Sequence, residues 1–196
     1  MKIYLIRHGA VENPKQILYG RLPGFKLSKK GVAQVQKIAE ELKNLNADIK
    51  KIYSSPLERA VQTAEIIAAE LGVSKNDIIK DERLIEIDTG KWQGVRLSEF
   101  HKHYVQIRAE NGLGIPYETA EKVADLINEI SKSNENTALV SHWDPIMTFI
   151  SELKNDWNFF KTGYIETGKY FIINNDSGSW KVEDDNLFDS SRSNHQ

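Results

Sequence analysis

Lys2-Ile3-Tyr4-Leu5-Ile6-Arg7-His8-Gly9 is the stretch that decides the fold. Its apolar run mixes β-branched and aromatic residues without alternation, the pattern of a strand buried on both faces. The run stops abruptly at a cation, an imidazole and a glycine. Ala138-Leu139-Val140 repeats the pattern and stops at Ser141-His142. Between them, Ile49 to Ser55 reads as another strand, ending in Ser54-Ser55-Pro56.

Helices separate these runs. Ser28 stands where an N-cap is wanted, and Val32, Val35, Ile38, Leu42 and Leu45 follow at three- and four-residue steps. A second helix runs from Leu57 to about Leu71, closed by Gly72. Residues 76–96 read as irregular, and a helix is expected over about 97–109. Thr119 is the expected cap of a helix faced by Ala120, Val123, Ala124, Ile127 and Ile130, and Pro145 suits the first turn of one reaching Leu153. Tyr170–Asn174 and Trp180–Val182 read as a hairpin around Asp176–Gly178. This alternation predicts a single three-layer α/β/α domain over residues 1–184, with a mostly parallel sheet between helices. A polar, flexible tail is expected over 185–196. In such sheets ligands gather beyond the carboxyl ends of the strands, where both histidines fall.

Composition narrows the function classes. The 196 residues are 40% hydrophobic and 28% charged, with a net charge of −2. A real core is expected, and the charge balance does not point to a nucleic-acid partner. No cysteine is present, which excludes disulfides and thiolate chemistry. Neither a membrane-spanning run nor a signal peptide is visible, so a cytoplasmic protein is expected.

Phosphoryl transfer through an enzyme-bound intermediate needs an uncharged nucleophile, cationic donors for the phosphoryl oxygens, and an acid for the leaving oxygen. The chain offers His8 with Arg7, Arg59 near a helix start, His142, and Glu86 in a loop. Taken singly, each also suits a structural or surface role; their local wording separates the two. Leu5-Ile6-Arg7-His8-Gly9 resembles the signature of the histidine phosphatase superfamily, the phosphoglycerate mutase-like family, and in particular its small phosphatases. Gly24-Phe25-Lys26-Leu27-Ser28-Lys29-Lys30-Gly31 with Gln34 resembles the family's loop-to-helix entry. Tyr53-Ser54-Ser55-Pro56-Leu57-Glu58-Arg59-Ala60-Val61-Gln62-Thr63-Ala64-Glu65 resembles its second-arginine block. Glu86-Ile87-Asp88-Thr89-Gly90-Lys91-Trp92-Gln93-Gly94 resembles its acid loop, and Val140-Ser141-His142 its second-histidine strand.

The resemblance implies that His8 becomes phosphohistidine and that Arg7, Arg59 and His142 bind the phosphoryl group. It further implies that Glu86 serves as acid and then base, with no metal. Asn13, Gly20, Arg21 and Trp143 are the further candidates for substrate contact. His101 and His103 sit two apart and do not share a helix face, so they read as solvated rather than metal-binding. The chain departs from the family at Val11 and Pro14, where Ser or Thr and Asn are frequent, and at Trp143-Asp144-Pro145, where glycines are common.

The implied activity is hydrolysis of a small phosphate ester, by a monomer or homodimer without a cofactor. The runner-up is a phosphoglycerate mutase primed by 2,3-bisphosphoglycerate. His142 follows Glu86 by 56 positions (residue 86 to residue 142), shorter than in the family's mutases, which favours hydrolysis. Arg21, with Lys91 or Arg96, offers a place for a substrate carboxylate and keeps the mutase in play. A catalytically silent binding protein of the same fold is the third reading, disfavoured because His8, Arg59 and His142 are all present.

Overall fold

The computed structural model describes residues 1–100, 117–176 and 178–183. In chain order the elements are β1 (Lys2–Arg7), α1 (Lys29–Asn44), β2 (Lys51–Ser54), α2 (Glu58–Leu71), β3 (Ile78–Lys80), α3 (Tyr117–Ile130), β4 (Thr137–Ser141), α4 (Trp143–Leu153), α5 (Trp157–Thr162), β5 (Tyr170–Asp176) and β6 (Ser179–Val182). The strands form one six-stranded sheet in the order β3-β2-β4-β1-β5-β6. The pairs β1–β4, β2–β4 and β2–β3 are parallel, and β5 and β6 close the sheet antiparallel.

The apolar runs become the central strands because both of their faces are covered. Ile3 and Leu5 point into a cluster with α3, α4 and α5, through Val123, Leu126, Ile127, Ile146, Ile150 and Phe160. Tyr4 and Ile6 point the other way, onto Val35, Ile38, Ala60, Ala64 and Ile67 of α1 and α2. The α/β/α layering follows from this alternation of one strand's side chains between two cores.

Ser28 caps α1 by accepting from the Gly31 N–H at 3.1 Å, and Gly72 ends α2 in the left-handed region at φ 69°. The structure corrects three expectations. Within the stretch read as irregular, Ile78–Lys80 is a strand paired parallel to β2. It is only three residues long on the sheet edge, with Ile79 38% exposed, too short to show a period. The helix expected to start after Thr119 already includes Tyr117, so Thr119 lies within it rather than at its cap. α5 was not foreseen; Asp156 caps it by accepting from the Asn158 and Phe159 N–H groups. Residues 97–100 are helical as expected. The remainder of the 97–109 helix, His101 and His103, and the 185–196 tail lie outside the described residues.

The parallel ladder aligns the functional strand ends. Arg7 pairs with Ser141, and Ser54 with Val140. One residue later the chain still holds register: the His8 N–H donates to Ser141 O at 3.1 Å, and the Ser55 N–H donates to Val140 O at 2.9 Å. His8, Ser55 and His142 therefore leave the sheet side by side.

Candidate active site

His8 is 2% exposed, and its Nδ1 lies 2.7 Å from Gly9 O. A carbonyl only accepts, so Nδ1 carries the proton and Nε2 is the bare nitrogen. The loop that carries it is pinned from both helices. The Ala10 N–H donates to Gln34 Oε1 at 2.8 Å, the Ser28 N–H donates to Ala10 O at 2.9 Å, and the Gly9 N–H donates to Thr63 Oγ1 at 3.2 Å. Gly31 must be glycine for this: a Cβ there would stand 2.0 Å from Ala10 O.

Arg59 projects from the first turn of α2 and is 1% exposed. Its Nε donates to His8 Nε2 at 3.2 Å, and one Nη donates to Gly20 O at 2.8 Å and to His142 Nδ1 at 3.2 Å. The guanidinium also sits 4.8 Å over the Tyr19 ring. His142 is fully buried, caps α4, and has its Nε2 2.7 Å from Ser55 Oγ. The two imidazoles are 5.0 Å apart, centre to centre. Burial together with the charges of Arg59 and Arg7 holds both well below the ordinary histidine range, so both are neutral at pH 7. The amino end of α4 adds positive potential at the same point.

Arg7 donates to Ile165 O, and its Nε is buried with no hydrogen-bond partner among the described residues. Glu86 follows the buried Leu84, whose carbonyl accepts from Ser141 Oγ at 2.7 Å, so the acid loop is tied to the end of β4. Removal of its carboxyl from water, reinforced by the Asp144 carboxylate, pushes the Glu86 pKa up to about 8. It is a protonated acid at neutral pH. Arg21 is exposed, and its Nε donates to Glu86 O at 2.6 Å.

The structure thus brings together His8, Arg7, Arg59, Glu86, His142, Gly20 and Arg21. It does not bring Asn13 to this cluster: the side-chain amide spans its own loop, donating to Ile17 O at 2.9 Å and accepting from the Ile17 N–H at 3.2 Å. Trp143 begins α4 and packs on Phe160, centroids 5.1 Å apart, against the core shared with α3 and α5. Its buried Nε1 has no partner among the described residues. Ser55, Thr63, Tyr19 and Asp144 were not singled out from sequence. The first two lie inside the quoted second-arginine block, which was the available signal. Among the described residues, no group of three or more His, Cys, Asp or Glu side chains is placed to hold a metal ion.

Two neutral imidazoles, two arginines and a protonated carboxyl thus meet at the carboxyl edge of an α/β sheet, a set of donors and a bare ring nitrogen suited to a phosphoryl group. The family comparison agrees: residues 3–187 match the model of the histidine phosphatase superfamily (branch 1), and the chain belongs to that superfamily. It is 37% identical to the 2,3-bisphosphoglycerate-dependent phosphoglycerate mutase of Thermoplasma acidophilum, over 77% of this chain and 76% of the relative. It is 30% identical to phosphoserine phosphatase 1 of Hydrogenobacter thermophilus, over 93% and 85%. Among solved structures, phosphoserine phosphatase from Entamoeba histolytica superposes with a TM-score of 0.76 at 25% identity, covering 98% of each chain. Bacillus stearothermophilus YhfR shares the fold at a TM-score of 0.79 and 23% identity, over 94% of this chain and 96% of that one. No helix among the described residues is long and apolar enough to cross a membrane.

Proposed function

We propose that the protein is a phosphomonoesterase acting on a small phosphorylated metabolite through a phosphohistidine at His8, with no metal or cofactor. The observation that carries this reading is the state of Arg59. A guanidinium keeps its charge at any working pH, yet this one is buried against two imidazoles and a carbonyl, all of them neutral. An unpaired buried charge costs on the order of several kcal/mol. A phosphate dianion offsets that cost with charge-assisted hydrogen bonds.

The chemistry follows from the proton positions. His8 Nε2 attacks phosphorus, the N–P bond forms, and the bond to the leaving oxygen breaks as Glu86 delivers its proton there. Arg7, Arg59 and His142 hold the phosphoryl oxygens throughout. Water then attacks phosphorus while the Glu86 carboxylate takes its proton, and the N–P bond breaks to restore neutral His8. Arg21, bonded to the backbone of the acid residue, stands on the leaving-group side and suits an anionic substituent on the departing alcohol. We assign no phosphate contact to Asn13, and we place Trp143 in the packing behind α4.

The second reading, a mutase primed by 2,3-bisphosphoglycerate, is favoured by the Thermoplasma relative. One experiment separates the two. The protein is incubated without added metal with 3-phosphoglycerate, with and without catalytic 2,3-bisphosphoglycerate, and in parallel with phosphoserine and p-nitrophenyl phosphate. The expected result is free phosphate without isomerisation. Bisphosphate-dependent 2-phosphoglycerate with little free phosphate would replace this reading with the mutase.

A further inference from the structure

We infer that Ser55 is a positioning residue that holds His142 in a single tautomer, with the proton on Nε2 and the bare Nδ1 turned to the phosphoryl pocket. The inference rests on the phosphoryl-transfer reading of that pocket. Its geometry stands on hydrogen-bond accounting alone.

His142 Nδ1 lies 3.2 Å from an Arg59 Nη, and a guanidinium can only donate. A proton on Nδ1 would oppose that donor, so the single proton of the neutral ring is on Nε2. Ser55 Oγ, 2.7 Å away, is the acceptor that receives it. The hydroxyl is not placed by a loose loop. Ser55 is fully buried, its own N–H continues the sheet ladder onto Val140 O, and its Oγ accepts a second bond from the Leu57 N–H at 3.3 Å. The adjacent Ser54 does not compete, since its Oγ donates to Ser55 O at 2.8 Å.

The consequence is a histidine whose proton count responds to the ligand. Arg59, His8, Arg7 and Arg21 all face His142 and disfavour a second proton on it. A phosphoryl group arriving as its monoanion carries a proton that Nδ1, already bare and facing the pocket, can accept. The ring is then an imidazolium that donates through Nδ1 to a phosphoryl oxygen and through Nε2 to Ser55. Arg59 Nη, which cannot donate to a protonated Nδ1, turns its N–H to the same phosphoryl group. Without the Ser55 acceptor, the two neutral tautomers compete, and the Nδ1–H form cannot accept that proton on the pocket side.

The test reads ring-nitrogen chemical shifts of His142 by long-range nitrogen–proton NMR, in wild type and Ser55→Ala, before and after saturation with inorganic phosphate. His142→Gln supplies the assignment. Wild type is expected to show the Nε2–H tautomer when free and an imidazolium when saturated. Ser55→Ala is expected to show mixed tautomers, an incomplete shift with phosphate, and a kcat on p-nitrophenyl phosphate about tenfold lower, with KM within about twofold. A free wild-type His142 protonated on Nδ1 would overturn the inference, as would Ser55→Ala with wild-type ring shifts and kcat. If the ring shifts behave as expected but wild type hydrolyses no phosphate ester, the proposed function fails and the assignment of Ser55 stands.

Discussion

The two ends of the parallel strands treat cations in opposite ways. At the amino ends a cleft of about 560 Å³ is lined by Lys43, Lys50, Asp48 and Glu70. There Lys43 pairs with Glu70 at 2.8 Å, Lys50 with Asp48 at 2.5 Å, and the neighbouring Lys51 with Glu135 at 3.6 Å. All are solvent-exposed, so each cation is satisfied by water as well as by a carboxylate. At the carboxyl ends Arg59 is buried against neutral acceptors, and the nearby carboxylic acid is protonated. What distinguishes the carboxyl end is a buried cation that pairs with no ionised carboxylate among the described residues, a state that folding alone would select against.

The difference between the two ends rests most heavily on Arg59. Arg59→Met should lower kcat/KM by about a thousandfold, in line with the loss of a preorganised donor to a developing charge. Its melting temperature should equal or exceed that of wild type, because an apolar side chain of similar length replaces an unpaired buried charge. A large fall in melting temperature would show that Arg59 is there to support the fold. Thermal unfolding and steady-state kinetics on one preparation read both.

Glu86 gives the next largest effect, and one with a pH signature. Its raised pKa keeps the proton on up to about pH 8, so kcat/KM on esters with poor leaving groups should fall above that value. His8 remains the neutral nucleophile down to well below its ordinary range, so the acid limb lies low. Glu86→Gln should cost about a hundredfold on phosphoserine, much less on p-nitrophenyl phosphate, and should remove the alkaline limb. The stability sign is the reverse of a paired carboxylate's. The folded pKa exceeds the unfolded one, so the contribution of Glu86 is fully present below about pH 4.3 and is lost as pH rises through about 8. Glu86→Gln should therefore gain melting temperature relative to wild type above pH 8. An equal loss on both substrates with an unchanged pH profile would make Glu86 structural.

The smallest effect belongs to the other end. Lys43→Met breaks an exposed ion pair and should leave turnover and KM at wild-type values, since such pairs contribute little. A measurable loss of activity would mean that the two ends communicate.

Much of this was legible in the chain because the buried strands announce themselves by apolar runs that end in polar residues. Arg7-His8 and Ser141-His142 mark the carboxyl edge without help from tertiary structure. What was hidden depends on register. β3 is three residues on an edge, and no period can appear in so short a run. Ser54 and Ser55 are indistinguishable as letters; the β2–β4 pairing decides that the second meets His142. Asn13 offers a polar side chain near the nucleophile, yet its amide is spent on closing its own loop with Ile17. Asp144 acts on Glu86 across a separation of 58 positions, from residue 86 to residue 144, which no local pattern carries.

In the proposed reaction His8 Nε2 carries the phosphoryl group between substrate and water. The direct measurement is incubation with a labelled phosphate ester quenched in alkaline detergent, followed by detection of acid-labile, base-stable phosphate on the protein and mapping of the modified peptide. Label is expected on the peptide holding His8, at a level that rises when Glu86→Gln slows its hydrolysis, and none in His8→Ala. Turnover by His8→Ala near the wild-type rate, or label on a different residue, would contradict it.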